Sequence, residues 1–256
     1  MVYFPWVINM FFTNSEKIPE GVGFQAYGLV HILWLLAGLI LFVVACIFFR
    51  KLSEKTQKTV LKVLGIYIFA QEMLKNLVLL ILGEFSWAYL PFHLCGVNIL
   101  LIAFDVFKQS KTVRSFLYYF AIPGAALALL FPNWTETPVW NFFHLHSFTI
   151  HILLVLYPLL LVTTGQVSTS LKDALKGVAL LVAMAIPIYG LNLLWDTNFM
   201  FLMEPDSGNP LGLFEQLFGS HLWGFPILLP VVIFVMYIPI LIFKKRKTQA
   251  KEEFPA

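Results

Sequence analysis

Charge is what this sequence has least of. Asp, Glu, Lys and Arg make up 12% of its 256 residues, against 59% hydrophobic, and mean hydropathy is +0.82. So little charge excludes a water-soluble domain of this length, and the apolar stretches reach spanning length. Two cysteines, Cys46 and Cys95, are too few for a disulfide framework. The N-terminus, "MVYFPWVINMFF", lacks the basic stretch of a cleavable signal peptide. Its aromatics and Pro5 point instead to a segment, 1–26, lying in or against the membrane interface. No internal repeat, low-complexity linker or second domain interrupts the chain. The expectation is one integral membrane domain over 1–256, an all-α bundle that passes the cell membrane several times and has no nucleic-acid partner.

Seven spans are expected, at roughly 27–49, 59–82, 87–107, 115–131, 143–165, 172–195 and 222–243. The fourth contains Pro123 and Gly124, which predict a tilt, kink or break; a six-span alternative makes it re-entrant. Arg50, Lys51, Lys55, Lys58 and Lys62 surround the first connection; Lys108, Lys111 and Arg114 the third; Lys172 and Lys176 follow the fifth span. "KKRK" opens a basic tail at 244–256, whereas the connections around Glu84, 132–142 and 196–221 carry no Lys or Arg. The positive-inside rule places the N-terminus outside and the C-terminus in the cytoplasm.

That orientation gives each intramembrane polar residue a depth. Entering from outside near Trp87, span three brings Cys95 about 12 Å down, and span five brings His151 to a similar level. Span two ends near Leu82, so Glu72, Lys75 and Asn76 lie in the same layer, joined by His31 of span one and Asn192 of span six. A charge inside a spanning helix costs about 2.5–3.5 kcal/mol on insertion scales and normally faces the bundle or a water-filled cavity. Glu72 and Lys75, at i and i+3, pair along one face, and Asn76 shares the face of Glu72. Such a group serves equally as a structural clamp between helices.

"LPFHLCGVN" places His93 two residues before Cys95. In a continuous helix, i and i+2 point to nearly opposite sides, so a base for Cys95 is expected from another helix. Asn98 shares the Cys95 face at i+3. Cys46, among Val, Ala and Phe at the other membrane side, reads as a small buried hydrophobe. In "NFFHLHSFTIHILL", His144, Ser147 and His151 form one stripe; His151 is the deepest and best placed as a base. His144 is expected at the membrane surface, His146 satisfied by a carbonyl, and His221 solvated in an outer loop.

Together "LVHILWL", "LPFHLCGVN", "FTIHILL" and "NFMFLMEP" resemble the YwaF family of bacterial integral membrane proteins, related to eukaryotic transmembrane protein 164. The likeness covers most of the chain, with "HLC" its sharpest motif. It implies a lipid acyltransferase that moves acyl chains between phospholipids through a cysteine, at Cys95, with His151 matching a downstream histidine. The architecture also looks like that of small membrane hydrolases with a Thr/His pair, cysteine replacing threonine.

The function expected is therefore a membrane-embedded acyltransferase, transacylase or lipid hydrolase using Cys95 and His151, with membrane phospholipids as donor and acceptor and no cofactor. Asn98, with His93 or Asn192, would donate to the oxyanion. Two alternatives stand beside it. A zinc hydrolase would draw ligands from His31, His93, His144 or His151 with Glu72, although no HExxH-like pair is present. A small-solute or lipid transporter would use the Glu72–Lys75 pair, although the chain lacks an internal repeat.

Overall fold

The computed structural model describes residues 10–167, 169–205 and 211–253, with side chains, that of Glu16 excepted, as far as Ile238. Residues 1–9 of the expected interfacial segment, and the side chains of the basic tail, lie outside that description. The described residues form eight helical elements and no strand: α1 (Leu29–Phe49), α2 (Glu54–Leu82), α3 (Leu94–Lys108), α4 (Lys111–Leu130), α5 (Phe142–Thr163), α6 (Leu171–Trp195), α7 (Leu211–Phe218) and α8 (Gly224–Glu253).

Boundaries follow local chemistry. Ser53 caps α2 by accepting from the Thr56 N–H at 3.2 Å, and Gly83 ends it in the left-handed region at φ 69°. Gln57 donates to the Phe49 and Leu52 carbonyls, closing the α1–α2 turn. Asn141 accepts from both Phe143 and His144 N–H groups at the head of α5. Within α4, residues Leu117–Ala121 form a π turn just before Pro123. Proline has no N–H, and its ring clashes with the carbonyl four residues back, here that of Tyr119 inside the wide turn. The predicted irregularity in this span is thus a π turn.

Among the described residues, six segments are long and apolar enough to cross a membrane: α1, α2, α4, α5, α6 and His221–Ile238. The third expected span falls short, because α3 has only 15 residues and begins at Leu94 instead of 87. At 1.5 Å per residue it covers about 22 Å of a hydrocarbon core about 30 Å thick. Before it come a 3₁₀ turn, Trp87–Tyr89, and extended backbone at Leu90 and His93.

In α4 and α5, 61% and 67% of the apolar window is buried, against 11% to 22% in the other four candidate spans. These two helices are the centre and the others surround them. On α1 only His31, Gly38 and Phe49 are buried, while Leu29, Leu33 and Ile40 stand exposed. Such an apolar exterior is sustainable only against hydrocarbon. A membrane protein follows from that surface.

At one end of the bundle a polar network fixes helix register. Asp105, fully buried, accepts from Arg114 Nε at 3.0 and 2.9 Å and from the Tyr157 hydroxyl at 3.1 Å. Arg114 also donates to Gln166, which donates to Thr164. Nearby, a Cβ on Gly65 would lie 2.4 Å from Val106 and 3.5 Å from Tyr157, so α2, α3 and α5 meet closely there. With Asp105 level with Tyr157, Asn98 and Cys95 lie about 10 and 15 Å back along α3, and His151 about 9 Å back along α5.

Candidate functional site: a polar layer at the head of α3

The opposite end of α3 holds the thiol. His93 is the N-cap, with extended φ −64°, ψ 159° and no side-chain cap hydrogen bond. Leu94 is the first helical residue and Cys95 the second. His93 is therefore outside the helix, and the opposite-face argument that separated it from Cys95 does not apply. Its ring packs 5.4 Å from both Phe199 and Phe201. Gly96 explains the tight start: a Cβ there would sit 2.5 to 2.7 Å from the Pro91 backbone. First-turn N–H groups of a helix have no intrahelical acceptor, so Cys95 sits among backbone donors. The thiol is half-buried and packs on the main apolar core.

From α2 comes a charged cluster. Glu72, 3% exposed, accepts at Oε1 from Lys75 Nζ at 2.6 Å and from Asn76 Nδ2 at 3.2 Å. Lys75 also reaches the Tyr89 carbonyl at 3.5 Å, tying α2 to the turn before α3. Glu72 Oε2 is 3.6 Å from His146 Nε2. His146 thus faces a carboxylate as well as bonding to the Gln71 backbone, a more polar setting than the carbonyl partner expected for it. Electrostatic reach links the group: Glu72 acts on Cys95, Lys75 on His146 and His151, and His151 on His146.

His151 is held by two contacts. Its Nδ1 is 2.7 Å from the Ser147 carbonyl, which makes that nitrogen the protonated one, and its ring stacks on Trp134 at 5.1 Å and 11°. Nε2 makes no hydrogen bond among the described residues. A ring fixed by Nδ1–H with its other lone pair unengaged has the tautomer that a general base needs. Trp134, from the α4–α5 connection, was not singled out from sequence; a tryptophan in a loop has no periodic pattern that would mark it.

Asn98, one turn beyond Cys95 on the same face, is fully buried, yet among the described residues neither its Oδ1 nor its Nδ2 has a hydrogen-bond partner. Trp134 Nε1 and Asn76 Oδ1 are likewise buried without one. Leaving a buried polar atom unpaired costs about 1–3 kcal/mol, so such a concentration calls for an explanation.

Other expected site residues are engaged elsewhere. His31 accepts from the Tyr27 N–H at Nδ1 and donates from Nε2 to the Leu129 carbonyl at 2.7 Å, tying α1 to the end of α4. Asn192 donates to the Phe199 carbonyl and accepts from the Phe199 N–H and Thr197 hydroxyl, shaping the "NFMF" turn. His144 is wholly buried, accepting from the Trp34 indole at 3.0 Å; it is not a surface residue. His221 is also buried, not solvated, with Nε2 3.1 Å from the Phe201 carbonyl. In both cases a backbone or indole partner makes burial of the imidazole tolerable. Among the described residues, no three His, Cys, Asp or Glu groups gather as a metal site would require.

The structure therefore joins Glu72, Lys75, Asn76 and His146 in one cluster, sets Cys95 within electrostatic reach of Glu72 and His151 within that of Lys75, places Asn98 one turn beyond Cys95, and commits His31 and Asn192 to structural bonds. No curated protein and no solved structure matches the chain. A family description does match, over residues 26–245, and by that span of 220 of 256 residues the chain belongs to the TMEM164 family.

Proposed function

We propose that the protein is a lipid acyltransferase or lipid hydrolase in which Cys95 is the nucleophile and His151 the base. The observation that carries this reading is the fully buried, unpartnered Asn98 amide one turn from Cys95, at a helix start whose backbone donors are uncapped. Donors aimed at one point beside a nucleophile are what an oxyanion requires.

Cys95 Sγ gives its proton to His151 Nε2 and attacks the ester carbonyl carbon of a phospholipid, placing negative charge on the carbonyl oxygen. First-turn N–H groups and Asn98 Nδ2 donate to that oxygen. Collapse breaks the ester C–O bond, and the lysolipid oxygen leaves with the proton from His151. An acceptor hydroxyl, lipid or water, then gives its proton to His151, attacks the thioester and breaks the C–S bond, and the proton returns to sulfur. Glu72, Lys75 and His146 would hold the polar end of the lipid. Lysine and arginine asymmetry supports seven crossings with this layer in the outer leaflet, α3 completing its crossing through the 87–93 segment.

The test is mass spectrometry of protein purified from its membrane. An acyl mass on Cys95 that neutral hydroxylamine removes is expected. No acyl adduct in the wild-type protein, together with no selective reactivity of Cys95 toward thiol probes, would overturn the reading. Orientation is tested separately: cysteines placed at 132–142 should react with an impermeant maleimide on whole cells, and those placed at 52–57 should not.

A further inference from the structure

Between α1, α4 and α5 runs a cleft of ≈ 180 Å³, lined among others by Trp34, Gly38, Phe42, Leu129, Ile152 and Val155. All ten of its lining residues are apolar or glycine. The one N–H among their side chains, on Trp34, is already given to His144. Nothing in the lining can recognise a charge or a hydrogen bond. From Trp34 to Phe42 the wall extends about 12 Å along α1. Leu39 and Leu130, 57% and 43% exposed, flank the opening toward the lipid-facing surface.

Starting from the acyl-transfer reading, we infer that this cleft seats one acyl chain of a bilayer phospholipid beside His151. Its surroundings in the membrane are hydrocarbon, and its walls accept nothing else. On α5, Ile152 lies in the cleft and His151 is the residue before it, turned about 100° round the helix. The Trp34 end connects to the same histidine through ring contacts: Trp34 stacks on Phe148 at 4.9 Å, Phe148 meets Trp134 at 5.3 Å, and Trp134 covers His151.

A chain moving from bilayer to cleft gains nothing from leaving water, since both sides are apolar; packing shape decides which chain fits. Gly38 sets that shape. A Cβ there would already lie 3.3 Å from Ile152 Cγ1, so a larger side chain must either displace Ile152 or extend into the cleft that Gly38, Phe42 and Ile152 line, and both change its shape.

The experiment uses Cys95→Ala protein in phosphatidylglycerol vesicles doped with a phosphatidylcholine carrying a diazirine on one acyl chain, so that no chemistry at the thiol is needed. After irradiation, labelling of Ile152 and Val155 is compared with that of Ile40, which faces lipid outside the cleft. Gly38→Leu should lower that ratio by at least about threefold by filling the cleft; an unchanged ratio overturns the inference. If Gly38→Leu fails to fold, Leu39→Ala, a trim of an exposed side chain at the mouth, should raise the ratio, and no change there also overturns it. In the Cys95-containing protein, Gly38→Leu should shift the acyl adduct toward shorter chains; an identical chain distribution overturns the role as an acyl subsite. A label ratio that responds while Cys95 never carries an acyl group upholds the cleft and sinks the transfer reading instead.

Discussion

Two buried polar networks occupy opposite ends of the same helices, and they differ in completeness. At the Asp105 end the carboxylate, guanidinium, phenol and amide satisfy one another across α3, α4, α5 and the loop after α5. At the Cys95 end Glu72 is well paired, but Asn98, Trp134 Nε1 and Asn76 Oδ1 have no partner. The membrane does not forgive incomplete pairing by default, since no water is at hand. A network that is closed holds helices; one with donors and acceptors left over has capacity for a bound molecule. Under the proposed function, that difference is what distinguishes scaffold from site.

Cys95→Ala should abolish the acyl adduct and leave only a small residual turnover, His151→Ala should lower turnover about as far, and Cys95→Ala/His151→Ala should be little worse than either, because a nucleophile and its base act as one unit. A double variant markedly worse than either single one, in a lipid-transfer assay, would separate the two residues. Next, Arg114→Ala should destabilise the bundle by about 3–5 kcal/mol by stranding Asp105, as read by thermal unfolding in detergent. Its turnover per folded molecule should stay near that of the wild type. Asn98→Ala should do the reverse: about 100-fold lower turnover with stability held or improved, since the alanine removes an unpaired amide and the transition state loses a donor. Should Asn98→Ala unfold the protein as Arg114→Ala does, the distinction between the two ends collapses. The smallest effect is expected at Lys17–Glu84, 2.5 Å apart with Lys17 64% exposed. Lys17→Ala should cost less than about 1 kcal/mol, as exposed pairs do.

Much of the architecture was legible because apolar runs and their caps are local: α1, α2, α5 and α6 begin and end within about five residues of the expected spans. Pro91 and Gly96 were equally visible, but their joint effect was not. Proline permits an extended turn, and only the packing of Gly96 on Pro91 shows where α3 must start. The pairing of Glu72 with Lys75 and Asn76 could be read because charge in a span is costly and has to be accommodated. Which histidine serves which partner could not. His31, His144, His146 and His221 differ only in what lies opposite them, and those partners, Leu129, Trp34, Glu72 and Phe201, are at least 20 residues away in sequence.

The contact between Gly96 and Pro91 distinguishes relatives of this protein from lookalikes. A side chain at 96 would strike backbone, not a flexible neighbour, so the turn could not relax around it. Any bulk there would push the 91–93 segment away and unwind the first turn, taking the backbone donors beside the thiol with it. The informative signature is therefore a proline, a cysteine four residues on and a glycine immediately after. A chain that keeps the cysteine but carries another residue in the glycine's place has a thiol in a membrane helix, without the turn that gives this one its surroundings.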